Sequence, residues 1–212
     1  MSIYKIDKKI TKIKGKITTK KLVMIGMFGA ISTILMLFEF PIPFTPTFVK
    51  MDLSELPIIL GGFMMGPLAG FLIIVIKIGL HLVLKGTTTM GVGELANMIG
   101  SATYMLPAVL LYRKLKTRSS VALALILGTI VTSVGSIFEN MYLIFPVYSK
   151  LYGMPIKAII AMGTTTNPYV TNMFTLMCFS LFPFNLVKYS VVSIITFVAF
   201  KKLGFVRRNL IK

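Results

Sequence analysis

Phe182-Pro183-Phe184-Asn185-Leu186-Val187-Lys188 opens the last long apolar run of the chain, which continues to Phe200. The stretch places an amide and an ammonium, three residues apart and on one helix face, where a membrane helix is otherwise greasy. A charge inside a membrane segment costs roughly 2.5 to 3.5 kcal/mol on insertion scales, so such a residue faces a cavity or a partner. Two readings follow: Asn185 and Lys188 form part of a ligand site, or Asn185 caps the helix after Pro183 while Lys188 snorkels to the surface.

The rest of the composition fits a membrane protein. Of 212 residues, 56% are apolar and only 14% charged, against about 25% charged in a soluble domain. The apolar stretches suit one compact bundle of about six helices at roughly 20 residues per span. A net charge of +17 raises the question of nucleic acid. The basic residues answer it by falling into clusters: eight lie within residues 1 to 21, four within Arg113 to Arg118, and five from Lys201 onward. Clusters between apolar runs mark cytoplasmic segments and attract anionic lipid, so no nucleic-acid partner is expected. The run Leu22 to Phe40 is too long for a signal-peptide core and is read as a span.

Helix 1 is predicted at Leu22 to Phe38, stopped by Pro41 and Pro43. Residues 40 to 50 are an outer loop. Asp52-Leu53-Ser54-Glu55 starts a second helix whose apolar part, to Met65, is short. At ~1.5 Å per residue it cannot cross a ~30 Å core alone; it is a partial span inside the bundle or it borrows its polar first turn. Gly66-Pro67 turns the chain into helix 3, Leu68 to Leu84. Helix 4 runs from Gly93 to Tyr112, helix 5 from Ser120 to Phe145, where Pro146 is expected to break it, and helix 6 from Phe184 to Phe200. Residues 147 to 181 read as a long outer connection with partial helices. The fold class is therefore all-α, an integral membrane six-helix bundle with both termini cytoplasmic. It divides into a basic segment at 1 to 21, a membrane domain at 22 to 203 and a basic tail at 204 to 212.

The polar residues near the spans are Lys77, His81, Glu94, Asn97, Glu139, Asn140, Asn185 and Lys188. Asn140 and Glu139 on helix 5 and Asn185 and Lys188 on helix 6 all lie toward the outer leaflet. Amide donors and acceptors beside an ammonium suit a neutral solute rich in carbonyls, ring nitrogens and hydroxyls. Lys188 could equally pair with Glu139, and Glu139 could instead face water. Lys77 and His81 read as a water-facing or interhelical pair, and Glu94 as a helix-start acid. Enzyme chemistry finds little support. One His excludes a two-His zinc site, no metal site is expected, Cys178 is the single cysteine, and no Walker-type loop occurs. In helix 1, small residues recur at Gly26 and Ala30 and again at Gly29 and Thr33, spacings that let another helix approach closely.

The strings Phe48-Val49-Lys50-Met51-Asp52-Leu53-Ser54-Glu55-Leu56-Pro57, Met65-Gly66-Pro67-Leu68-Ala69-Gly70, Gly91-Val92-Gly93-Glu94-Leu95-Ala96-Asn97 and Pro183-Phe184-Asn185-Leu186-Val187-Lys188 together resemble the riboflavin-specific S components of energy-coupling factor (ECF) transporters, over residues 22 to 203. The resemblance implies a cell-membrane protein that is not an enzyme, captures riboflavin at its outer side as transported ligand with no cofactor, and works with a transmembrane coupling subunit and two cytoplasmic ATPases. It carries ligand binding onto Asn140, six residues before the proline closing helix 5, and onto Asn185 and Lys188. Lys50, Met51, Asp52 and Gly91 become expected site walls, and residues 40 to 50 a cover over the site. Gly26 and Ala30 become the docking face for the coupling subunit, with glycine at 26 where alanine is typical. On this reading Asn185→Ala and Lys188→Ala weaken binding and leave folding intact. An S component for another vitamin, a membrane enzyme and an interaction scaffold are the competing classes.

Overall fold

A computed structural model of the chain describes residues 18–42, 49–115, 117, 120–153 and 155–202. Most of the N-terminal basic segment, residues 43–48 of the expected cover, Lys116 and Arg118, and the C-terminal tail lie outside the described residues. The described chain is almost wholly helical. Its seven helices are α1 (Thr19–Leu37), α2 (Glu55–Met65), α3 (Pro67–Lys85), α4 (Val92–Leu115), α5 (Ser120–Tyr152), α6 (Ile156–Thr166) and α7 (Met173–Lys202). All but α2 and α6 are long and apolar enough to cross a membrane, which makes this an all-α, multi-pass membrane protein. The one departure is a two-rung antiparallel ladder in the loop after α1, pairing β1 (Phe40–Pro41) with β2 (Lys50–Met51).

Local chemistry explains most boundaries. The Thr18 hydroxyl accepts the Lys21 N–H and caps α1. The Asp52 carboxylate accepts the Ser54 N–H at 2.8 Å, folding the chain into the first turn of α2. Gly66, at φ 107°, makes the turn that lets α2 and α3 follow directly, with Pro67 in the first turn of α3. Helix α2 resolves the ambiguity of its length: eight of its eleven residues are buried, so it is a partial span packed inside the bundle against α1, α3 and α4.

Two sequence expectations about proline need correction. Pro146 does not end helix 5, and Pro183 does not start helix 6. Each lies six residues after the start of a π-helical turn, Asn140–Ile144 in α5 and Met177–Leu181 in α7. A proline lacks the N–H that would bond the carbonyl four residues back and collides with that carbonyl. The wider π turn moves the carbonyl aside and lets the helix continue. Before Pro183 that carbonyl belongs to Phe179, and the Asn167 side-chain amide takes it up at 3.2 Å. Helix α5 therefore continues to Tyr152 and stops at Gly153, whose φ of 59° is the left-handed conformation of a helix C-terminus. The expected outer connection from 147 to 181 shrinks to α6 and two short links.

The core joins α1 to α5 and α7, with Ile58, Ile59, Ile73, Ile74, Met105 and Val192 almost fully enclosed. Tyr104, Thr129 and Ser193 tie α4, α5 and α7 together through hydroxyl contacts of 2.8 and 3.0 Å. A smaller cluster around Phe145, Ile159, Leu176 and Met177 holds α6 against the π turns. The two small-residue faces of α1 part company here. Gly29 and Thr33 point inward, and a Cβ on Gly29 would lie 2.5 Å from the Ile76 side chain; around Gly26 the same test meets nothing within 4 Å. Ala30 is exposed.

Candidate functional site

At one end of the bundle, the C-terminal ends of α1 and α3, the N-terminal end of α4 and the π-turn regions of α5 and α7 surround a cavity of about 240 Å³. The basic residues Lys20, Lys21, Arg113, Lys114, Lys201 and Lys202 sit at the opposite ends of the same helices. Asn140, Asn185 and Lys188 all reach the cavity wall, as do Lys50 and Asp52. Two of the expected wall residues do not. Met51 is buried in the ladder opposite Phe40, and the Gly91 N–H is spent on the Thr87 hydroxyl at 2.8 Å while its neighbours Val92 to Glu94 do the lining.

Both asparagines use the helix that carries them. Asn140 donates an amide hydrogen to the Ser136 carbonyl at 2.8 Å, and Asn185 donates one to the Leu181 carbonyl at 2.9 Å. Each amide keeps its carbonyl oxygen and its second N–H for the cavity. Asn185 lies within α7, so the capping alternative is set aside. Lys188 is not a snorkelling residue either: it is 5% exposed, and its Nζ lies 2.9 Å from Asp52 Oδ2. The partner considered from sequence, Glu139, is not the one it has.

Asp52 is 2% exposed. Burial alone would raise its carboxyl, but Lys188 and Lys77 outweigh that and hold it at about 2, below the ordinary 3.8. Behind it lies a second buried charge. Lys77, fully enclosed in α3, shares its three ammonium hydrogens among Glu55 Oε1 at 3.0 Å, Asn97 Oδ1 at 2.6 Å, Ser101 Oγ at 2.9 Å and Ser54 Oγ at 3.3 Å. Ser101 in turn donates to Glu55 at 2.6 Å, and Ser32 ties the Ser54 carbonyl to α1 at 2.5 Å. Sequence reading makes Lys77 and His81 a water-facing or interhelical pair; the structure turns both toward other helices, Lys77 to Glu55 of α2 and His81 toward Glu94 of α4. Through Ser54, this cluster fixes the turn that presents Asp52 to Lys188.

The cavity mouth holds Glu39, which sequence reasoning passed over, and Glu94, which it read as a helix-start acid. Glu39 accepts from both Lys50 at 2.8 Å and Lys85 at 2.6 Å, which joins the ladder to the end of α3. Burial works against the Glu39 charge, and the two lysines overcome it, so its carboxyl sits below the usual range. Glu94 accepts from the Thr87 and Thr89 hydroxyls at 3.0 and 3.1 Å and lies 4.0 Å from the His81 ring. An acid just beyond a span and a threonine run before an acidic helix start were the available signals; neither names its partner. Convergent amides, one buried ion pair and a polar mouth can bind an uncharged solute with many hydrogen-bonding groups. Among the described residues no cluster of His, Cys, Asp and Glu could hold a metal ion.

Comparison with known proteins gives three consistent results. A family model described as the ECF transporter substrate-specific component matches residues 20–200. Similar sequences include the riboflavin transporter FmnP of Bacillus subtilis, 31% identical over 185 residues that cover 87% of this chain and 92% of the relative. The riboflavin transporter RibU of Staphylococcus aureus is 30% identical over 192 residues, covering 89% and 93%. Among solved structures, one described as the S component of a bacterial ECF transporter aligns with a TM-score of 0.69 at 28% identity, covering 87% of this chain and 95% of that one.

Proposed function

Because the chain belongs to the substrate-specific components of ECF transporters, we propose that it is the membrane subunit that captures riboflavin for uptake. The observation that carries this reading is the convergence of Asn140, Asn185 and the Lys188–Asp52 pair on one cavity in a chain 31% and 30% identical to two riboflavin transporters. A flavin ring presents carbonyls, ring nitrogens and one N–H along its polar edge, which amides and an ammonium can meet, and its chain presents hydroxyls. The basic helix ends opposite the cavity support a cytoplasmic placement of both termini and an outward-facing site in the plasma membrane. On this topology α2 counts as a sixth, incomplete crossing. Without a Walker-type loop of its own, the subunit takes its energy from a coupling subunit and two ATPases. Riboflavin is cargo here, not a cofactor.

The test is a titration of the detergent-purified protein with riboflavin, read by flavin fluorescence. Submicromolar, saturable binding is expected, and Asn140→Ala or Asn185→Ala should each weaken it about tenfold, the ~1.4 kcal/mol of one lost hydrogen bond. A protein that ignores riboflavin and carries a different vitamin through purification would overturn the substrate while leaving the family intact.

The face of Gly26, where a Cβ would meet nothing within 4 Å, and exposed Ala30 is proposed to meet the coupling subunit, since small residues permit close helix approach. Gly26→Leu and Ala30→Leu should keep riboflavin affinity and abolish most uptake in cells. Gly29→Leu should behave differently, because its side chain enters the space held by Ile76 and lowers the thermal midpoint. Uptake unchanged in both outward variants would remove this face from docking.

A further inference from the structure

Four of the five carboxylates among the described residues are committed. Glu39 holds Lys50 and Lys85, Asp52 holds Lys188, Glu55 holds Lys77, and Glu94 holds two threonine hydroxyls beside His81. The fifth, Glu139, has no hydrogen bond or ion pair among the described residues, yet it is half-buried and lines the cavity. The lysines on that wall bond other acids, Lys50 and Lys85 sharing Glu39 and Lys188 resting on Asp52. An acid within a membrane helix marks a functional site unless something nearby takes its charge.

Its position on α5 indicates what it meets. Asn140 continues the stripe of Thr129, which donates to the Tyr189 carbonyl and contacts Ser193, both on α7. Glu139 continues the stripe of Thr132, two turns earlier, which donates to the Gly100 carbonyl of α4. Thr132 also bonds Tyr189 of α7, so Glu139 meets the wall where Tyr189 lies against α4, and Asn140 leaves α5 about 100° away from it. The amides of Asn140 and Asn185, with Lys188, offer the mixed donors and acceptors that a planar ring edge requires. Glu139 offers oxygens to the cavity and needs a donor.

We propose that Glu139 is a ligand-recognition residue, accepting a hydrogen bond from a hydroxyl of the ligand's polyol chain; this rests on the flavin reading above. It assigns the ring edge to Asn140, Asn185 and Lys188 and the hydroxylated chain to Glu139. It also gives the site a means of preferring riboflavin over a flavin that lacks the chain.

The experiment compares riboflavin with lumiflavin, which has the same ring and a methyl group in place of the polyol, by fluorescence titration of the full-length protein in detergent. Glu139→Gln, close in shape, should weaken riboflavin binding about tenfold and leave lumiflavin binding and the thermal midpoint unchanged. Glu139→Ala should lose at least as much for riboflavin and again nothing for lumiflavin. Equal losses for both flavins, or unchanged riboflavin affinity in both variants, overturn the assignment. Wild-type protein that binds neither flavin overturns the flavin reading itself, a result distinct from binding that is insensitive to position 139.

Discussion

Lys188→Met is expected to lose ligand binding and a large part of the protein's stability together. The substitution strands the Asp52 carboxylate, 2% exposed, with only the Ser54 N–H and the more distant Lys77 to stabilise it. Breaking one side of a buried ion pair costs about 3–5 kcal/mol. The thermal midpoint in detergent should fall sharply, and riboflavin should no longer quench. Asp52→Asn combined with Lys188→Met removes both charges and should restore most of the midpoint while leaving binding absent. That separation matters, because the expectation from sequence that Lys188→Ala spares folding ignores Asp52. Since Asp52 titrates at about 2 when folded against an ordinary 3.8, its contribution is complete above the ordinary value and is lost only as pH falls toward 2. The comparison can be made at neutral pH without titrating the pair. Native stability in Lys188→Met would return Lys188 to a surface role, and wild-type affinity in the double variant would remove it from the site.

The second large effect is expected at Lys77, which touches no part of the cavity. Lys77→Met removes the donor shared by Glu55, Asn97, Ser101 and Ser54 and leaves Glu55, also fully enclosed, with Ser101 alone. A loss of about 3–5 kcal/mol follows by the same argument. Replacing both members, Lys77→Met with Glu55→Leu, should recover much of it, since a buried pair is often no more stabilising than well-packed apolar side chains. Binding should recover less than stability does, because Ser54, which orders Asp52 for Lys188, has lost its Lys77 contact. The checks are the thermal midpoint and the riboflavin titration on the same samples. If Lys77→Met unfolds at the wild-type midpoint, the cluster carries no stability; if the double variant binds like the wild type, the cluster does not position the site.

Why part of this site could be read from the chain and part could not comes down to range. Asn140, Asn185 and Lys188 are visible because each is polar in an apolar run, and a membrane makes that expensive in any fold. The partner of Lys188 lies 136 residues away, and nothing local distinguishes Asp52 from Glu139 as its counterion. The prolines misled for a related reason. Pro146 and Pro183 read as breaks because sequence patterns assume the α-helical register, whereas each helix passes its proline through a π turn; at Pro183 the displaced carbonyl is satisfied by Asn167, from the link before α7. The two small-residue faces of α1 were equivalent on the page of the sequence, and packing against Ile76 claims only one of them.

Composition and spacing alone determined that this is a helical membrane protein, where its main apolar runs lie and which ends carry the basic charge, because apolar length and charge clustering act on each segment separately. Tertiary structure decided which charges neutralise one another, which face of α1 stays open, and that Glu139 is left uncommitted at the cavity wall among the described residues. Those are outcomes of distance between segments, and a buried charge is stabilised most by the group that the fold brings within about 3 Å of it.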